Sequence, residues 1–271
     1  YSSNGIGWRE VDMENGAERD IALPFPTPDE LWDRVFPKDN VWRDRFGAVP
    51  FETGGGKWEP RYYQHNAITE VLEAVAKGDR RILLTLATGT GKTGVAFQVA
   101  WKLFRASWNL SGEPTRRPRI LFLADRNILA DQAFNSFSAF EAGALSRINP
   151  KEIKKRDGRM PKNASVFFSI FQTMMTSGAG EESEDESGEV LSNGPPNYLQ
   201  YPPDFFDFII IDECHRGGAN DESTWRAILD HFAPAVQLGL TATPKRTDNV
   251  DTYAYFGEPV YTYALKEGIG D

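Results

Sequence analysis

With 271 residues, of which 40% are hydrophobic and 25% charged, the chain can bury one large α/β core plus an accessory piece. No apolar stretch approaches the roughly 20 residues needed to span a bilayer, and the single cysteine, Cys214, excludes an internal disulfide and a cysteine-rich zinc site. The net charge of −9 argues at first against a nucleic-acid partner, but six of those charges lie in the run Glu181–Glu189, which leaves −3 (−9 + 6) elsewhere, so global charge does not decide the partner.

The chain opens at Tyr1 with neither methionine nor a signal-peptide layout, which points to a fragment of a longer cytoplasmic polypeptide. Residues 1–25 read as a β-rich piece left from a preceding domain. Pro24, Pro26 and Pro28 mark a stiff break, so 26–58 reads as linker and 59–271 as the main domain. Residues 62–77 carry apolar side chains at helical spacing and stop at Gly78. Strands are predicted at 81–86, 119–124, 165–170, 206–211 and 236–241, with helical stretches between most of them. That alternation predicts a mostly parallel sheet with helices on both faces. The helix predicted at 93–107 turns Val95, Val99 and Leu103 toward the core. The acidic run lies in a Gly/Ser/Pro-rich stretch, about 177–203, whose composition predicts a solvated, mobile insert.

Between the first strand and the helix after it stands Ala87-Thr88-Gly89-Thr90-Gly91-Lys92-Thr93. Strand, glycine turn and helix build a phosphate cradle, in which backbone N–H groups converge on phosphate oxygens. Thr88, Gly89, Thr90, Gly91, Lys92 and Thr93 are therefore the expected nucleotide-binding residues. Lys92 is a flexible cation for the outer phosphates, and the Thr93 hydroxyl suits Mg²⁺. Leu86 replaces the first glycine of the usual pattern.

The apolar run Phe206–Ile211 reads as a central strand and ends in Asp212-Glu213-Cys214-His215. Two adjacent carboxylates at the tip of a buried strand are costly unless a cation or proton chemistry uses them. Asp212 suits Mg²⁺, and Glu213 suits the orientation of a water that attacks a γ-phosphate. Cys214 is expected to pack rather than react.

These segments together resemble superfamily two helicases and translocases, which pair a phosphate loop with a D-E-x-H box. Leu240-Thr241-Ala242-Thr243-Pro244 is similar to that family's third motif, 29 residues after the box (241 − 212). Arg61-Tyr62-Tyr63-Gln64 is similar to its glutamine motif. The resemblance implies a RecA-like P-loop NTPase domain using ATP and Mg²⁺, with Gln64 reading adenine. It also implies that His215 links the ATP site to Thr241 or Thr243, which couple nucleotide state to the DNA track. A second motor lobe of the same polypeptide is implied, as is Arg126 gripping one DNA strand; that arginine also follows a strand at the sheet edge where ligands of α/β folds bind.

A narrower resemblance, to the restriction subunit of type I restriction-modification enzymes, rests on Leu86–Thr93, Phe122–Asn127, Ile211–Gly217 and the opening segments Tyr1–Trp8 and Phe25–Trp32. It implies a prokaryotic motor moving on double-stranded DNA, with specificity and methylation subunits as partners and 1–25 as the end of a nuclease domain. Three other readings remain open: an RNA helicase or repair translocase with the same core, a P-loop phosphotransferase, and a non-catalytic ATP-binding module.

Two basic clusters could contact phosphates or be solvated faces: Arg116, Arg117 and Arg119, and Lys151, Lys154, Lys155, Arg156, Arg159 and Lys162. Lys245 and Arg246 are further candidates. His65 and His231 read as surface or packing residues.

Overall fold

The computed structural model describes residues 2–3, 7–11, 18–21, 26–35, 40–56, 58–113, 115–141, 143–178, 194–214, 226–242, 246–247 and 250–264. The chain divides into two compact units, Tyr1–Asn40 and Val41–Asp271. In the first, β1 (Ser2–Ser3), β2 (Trp8–Val11) and β3 (Glu18–Ile21) pair antiparallel, and Arg9 and Glu18 approach to 2.7 Å across the β2–β3 pair. Helix α1 (Pro28–Val35) starts in a reciprocal cap: Glu30 N–H donates to Thr27 Oγ1 and Thr27 N–H to Glu30 Oε2, with proline in the first helical position.

The second unit is built on seven parallel strands. They are β4 (Arg81–Leu86), β5 (Ile120–Ala124), β6 (Leu145–Arg147), β7 (Val166–Ile170), β8 (Phe208–Asp212), β9 (Val236–Thr241) and β12 (Tyr261–Tyr263). Their order across the sheet is β12-β4-β9-β8-β5-β7-β6. A short hairpin, β10 (Arg246–Thr247) with β11 (Val250–Asp251), stands apart.

Side-chain alternation along these strands feeds two cores. Ile82, Leu84, Leu86, Phe122, Ile210 and Leu238 pack beneath α2 (Val41–Ala48), α3 (Tyr62–Lys77), α4 (Lys92–Arg105) and α5 (Asn127–Ser136). Leu83, Leu121, Leu123, Phe167, Ile209 and Ile211 point to the opposite face. They meet α6 (Pro150–Lys154), α7 (Phe171–Met175), α8 at 226–231 and α9 (Thr252–Phe256). Because both faces are covered, the strands run almost continuously apolar, and the parallel sheet with helices on both faces is as expected.

The five predicted strands are all present, and α3 spans 62–77 with its stop at Gly78, whose φ of 92° and N–H bonds to Ala74 and Val75 carbonyls close the helix. Val95, Val99 and Leu103 are fully buried. Helix α4 ends two residues before the predicted 107, because Ser107 turns left-handed (φ 54°) and Trp108 N–H bonds back to Leu103 O. The strand predicted at 206 starts at 208, because Asp207 is buried as an anchor. Its carboxylate accepts from Leu110 N, Arg119 N and both terminal nitrogens of Arg116.

The first basic cluster, open between a phosphate contact and a solvated face, is instead tied to the domain's own residues. Arg116 serves Asp207, Arg117 donates to Phe104 O and lies over the Phe104 ring, and Arg119 lies over Phe205. All three precede β5 and so sit at the sheet's N-terminal edge, away from the phosphate loop. Within 26–58, residues 41–53 are built into the second unit. Gln98 exchanges two hydrogen bonds with the Glu52 backbone, and buried Lys102 donates to the Phe46 and Val49 carbonyls. Of the acidic stretch, 179–193 lies outside the described residues. Its C-terminal flank is packed: Asn197 donates to Thr173 O and Gly178 O, and Tyr201 donates to Pro161 O.

Candidate active site

In a parallel sheet every strand ends at the same edge, and β4, β9 and β8 are neighbours. The phosphate loop follows β4, Thr241 closes β9 and Asp212 closes β8. Three segments distant in sequence are thereby brought side by side. The sheet also fixes their depth, since Asp212 pairs in register with Leu240 and Thr85 with Thr241.

The loop itself is held from three sides. Ala87 N–H donates to Tyr263 O on β12 at 3.0 Å, and Thr90 Oγ1 donates to Ala87 O at 2.7 Å. From α3, Gln64 Nε2 donates to Thr90 O at 2.8 Å, while its Oε1 accepts from Arg61 N–H. Gly89 and Gly91 take positive φ, 84° and 82°. The first helical bond of α4 runs from Val95 N–H to Gly91 O, so the N–H groups of Lys92, Thr93 and Gly94 belong to the helix's open N-terminal turn. Thr88 and Gly89 form the exposed lip of this turn, and Thr93 lies partly exposed in the first turn of α4.

Across the loop, Lys92 Nζ lies 3.5 Å from Glu213 Oε1 and 3.4 Å from Leu86 O. Both side chains are largely enclosed, at 10% and 16% exposure. Glu213 adopts φ 55°, a left-handed backbone that costs a non-glycine residue about 1–2 kcal/mol and turns its carboxylate back toward Lys92. Asp212 and Thr241 are buried beside it. Cys214 is buried too; burial, aided by the neighbouring Glu213 and Asp212 charges, pushes its thiol well above the ordinary range, as befits a packing residue.

Arg126 is exposed and follows β5, one strand beyond β8. An open hollow of about 460 Å³ lined by Arg126, Asn127, Ile128, Leu129 and Glu213 joins it to the acidic end of the site. The structure thus brings together Gln64, Thr90, Gly91, Lys92, Asp212, Glu213 and Thr241, with Arg126 at the rim. His215, Thr243 and Lys245 lie outside the described residues, and of Arg246 only the backbone is described. His231 is a packing residue, with Nε2 2.9 Å from Tyr201 O, and His65 lies against the Phe51 ring.

The sequence reading missed Tyr263. Its carbonyl steadies the loop, and its ring stacks on Tyr63 at 4.1 Å. The alternation Tyr261-Thr262-Tyr263 was the available signal for a strand. The donor set fits a magnesium–triphosphate group: a helix N-terminus with a lysine takes phosphates, while a hydroxyl and a carboxylate are hard oxygen ligands of the kind Mg²⁺ uses alongside water.

A family model described as type III restriction enzyme, res subunit, matches residues 57–246. The chain belongs to that family. Among curated relatives, the type I restriction enzyme EcoAI endonuclease subunit of Escherichia coli is 39% identical over 280 residues, covering 100% of the chain and 31% of the relative. The chain therefore spans about a third of that protein's length. Among solved structures, a fragment described as an HsdR subunit of a type I restriction enzyme from Vibrio vulnificus is 40% identical, with a TM-score of 0.63, covering 99% of this chain and 42% of that one. A nuclease-deletion mutant of the type ISP restriction-modification enzyme LlaGI, solved with a DNA substrate mimic, shares the fold at 20% identity and a TM-score of 0.51, covering 79% of this chain and 20% of that one. These likenesses agree with a RecA-like helicase domain. Among the described residues no helix is long and apolar enough to cross a membrane.

Proposed function

We propose that this chain is the first lobe of an ATP-driven motor that moves on double-stranded DNA within a restriction subunit. The single observation that carries the reading is the 3.5 Å approach of Lys92 to Glu213, two residues 121 positions apart in the sequence (213 − 92) that meet at one pocket. The family and its restriction-enzyme relatives supply the DNA context.

On this reading the open N–H groups at the start of α4 and the Lys92 ammonium hold the β- and γ-phosphates of ATP. Thr93 and Asp212 would hold Mg²⁺, which when bound neutralises charge developing on those phosphates. Glu213 accepts a hydrogen bond from a water and aims its oxygen at the γ-phosphorus. As the new P–O bond forms, the bond to the β–γ bridging oxygen breaks, and the water proton passes toward Glu213. Lys92 leaves its pairing with Glu213 for the phosphates, which frees the carboxylate for that work. Gln64 is the residue assigned to read adenine on this reading. Thr241 (with Thr243 and His215) relays the phosphate state to the rim, where Arg126 holds a DNA phosphate. A second lobe of the same polypeptide completes the site, and specificity and methylation subunits supply target recognition.

The test is ATP turnover by the natural polypeptide carrying this chain, with and without duplex DNA. Lys92→Ala abolishes turnover; Glu213→Gln binds ATP and does not hydrolyse it. Normal hydrolysis by Glu213→Gln, or rates indifferent to DNA, would remove this proposal.

A further inference from the structure

The second basic cluster stands where the first does not. Strand β6 is two places from β5 in the sheet, with β7 between them, and all three are parallel. The chain leaving β6 therefore emerges on the same edge as Arg126, displaced by two strand spacings, or roughly 10 Å. It runs into α6 and the turn to residue 162, which carry Lys151, Lys154, Lys155, Arg156, Arg159 and Lys162 against only Glu152 and Asp157.

This segment is held firmly from beneath. Asn149 caps α6 by accepting from Glu152 N–H at 2.9 Å, and Ile153 and Met160 are buried in the core of that face. Gln200 ties the turn down, donating to Gly158 O and accepting from Met160 N–H, and Tyr201 donates to Pro161 O. Lys151, Lys154, Lys155, Arg156, Arg159 and Lys162 are all exposed. Their field is felt locally: Lys155, which binds Glu152 at 2.6 Å, holds the Glu152 carboxyl below its usual range, with smaller contributions from Arg156 and Arg147.

We propose that the α6 turn, Lys151 to Lys162, is a second phosphate-contact surface for duplex DNA, extending the track that begins at Arg126. The inference rests on the proposed DNA motor and adds to it a named surface. Charges along one DNA strand recur every 3.4 Å of axis, so a patch roughly 10 Å from the β5 edge meets phosphates about three nucleotides further along. A rigid backbone carrying exposed cations suits such contacts, because they set position and grip without reading bases.

The experiment compares binding of a labelled random-sequence duplex over a range of salt, using the natural polypeptide. The patch variant is Lys154→Gln, Arg156→Gln and Arg159→Gln together. The control removes the same charge from other exposed positions, Lys77→Gln, Arg80→Gln and Arg105→Gln. The expected result is a fall of about 2–3 in the slope of log K against log salt for the patch variant, equal for two unrelated sequences, and a wild-type slope for the control. Melting temperatures of the two variants serve as the folding check. A patch variant with the wild-type slope, beside a wild-type protein that does bind DNA, overturns the surface and leaves the motor reading standing. A wild-type protein with no salt-dependent duplex binding overturns both.

Discussion

Gln64 Nε2 donates to the Thr90 carbonyl at 2.8 Å, and the same amide nitrogen lies 2.6 Å from where a Cβ on Gly91 would stand. The residue expected to read adenine is thus also a brace for the phosphate loop. Its Oε1 accepts from Arg61 N–H, so one amide joins the start of α3 to the loop. Gln64→Ala removes that brace. A lost buried hydrogen bond of about 1 kcal/mol corresponds to roughly fivefold weaker nucleotide binding. A loss is expected for GTP as well as for ATP, because the loop grips the phosphates common to both. Gln64→Glu sets a carboxylate oxygen against the Thr90 carbonyl and is expected to bind worse than Gln64→Ala. Nucleotide titrations of the two variants check this; a loss confined to ATP would mean that the amide acts on the base alone.

The two glycines of the loop separate strain from collision. A Cβ on Gly89 would meet nothing within 4 Å, so Gly89→Ala carries only the left-handed backbone cost of about 1–2 kcal/mol. Gly91→Ala carries that cost and also strikes Gln64. Gly91→Ala is therefore expected to be the more damaging to ATP affinity, and adding Gln64→Ala to it should cost less than Gln64→Ala costs alone. A double-mutant cycle measures the difference. Strict additivity at this pair would contradict the contact.

How far the sequence was legible depends on the physics of each element. Strands β4, β5, β7, β8 and β9 are buried on both faces, so their apolar runs announced them. The phosphate loop and Asp212–Glu213 were legible because each pairs an unusual residue set with a strand end. Strands β6 and β12 were missed, being three residues long and at the two edges, where partial exposure admits residues such as Ser146 and Thr262. Gln98, Lys102 and Asp207 were illegible for another reason. Each is a polar residue buried by partners far along the chain, and no local pattern names Glu52, Phe46 or Arg116 as those partners. The same holds for the first arginine cluster, whose side chains are claimed by Asp207 (Arg116), Phe104 (Arg117) and Phe205 (Arg119).

Asp207→Asn is expected to be the most destabilising conservative change at the N-terminal edge. The carboxylate takes both terminal nitrogens of Arg116 at 2.7 and 2.8 Å and two backbone N–H groups, of Leu110 and Arg119. An amide cannot accept at both ends, and its NH₂ would face donors, leaving the guanidinium charge without compensation. Breaking a buried pair from one side costs about 3–5 kcal/mol. Denaturant unfolding should show a loss of that order. A loss under about 0.5 kcal/mol would show that the pair is solvated, as surface pairs are.

Lys102 gives a pH signature whose sign can be worked out. It lies on the helix that begins at the phosphate loop, buried against the Phe51 ring, and its ammonium donates to carbonyls at the end of α2. Burial lowers its pKa below 10.5. The folded amine thus gives up its proton more readily than the unfolded one. Between that depressed value and 10.5 the unfolded chain binds more protons, so this residue makes stability rise with pH across the window. Lys102→Met keeps the length of the stem but leaves the Phe46 and Val49 carbonyls without their donor, an expected loss of about 1–3 kcal/mol. Because every other titrating group is common to both proteins, the stability gap between wild type and Lys102→Met should widen as pH rises from neutral toward 10.5. Urea midpoints followed along that rise measure it. A gap that stays constant would show that the amine titrates as it does in water, and a gap that narrows would reverse the sign of its contribution.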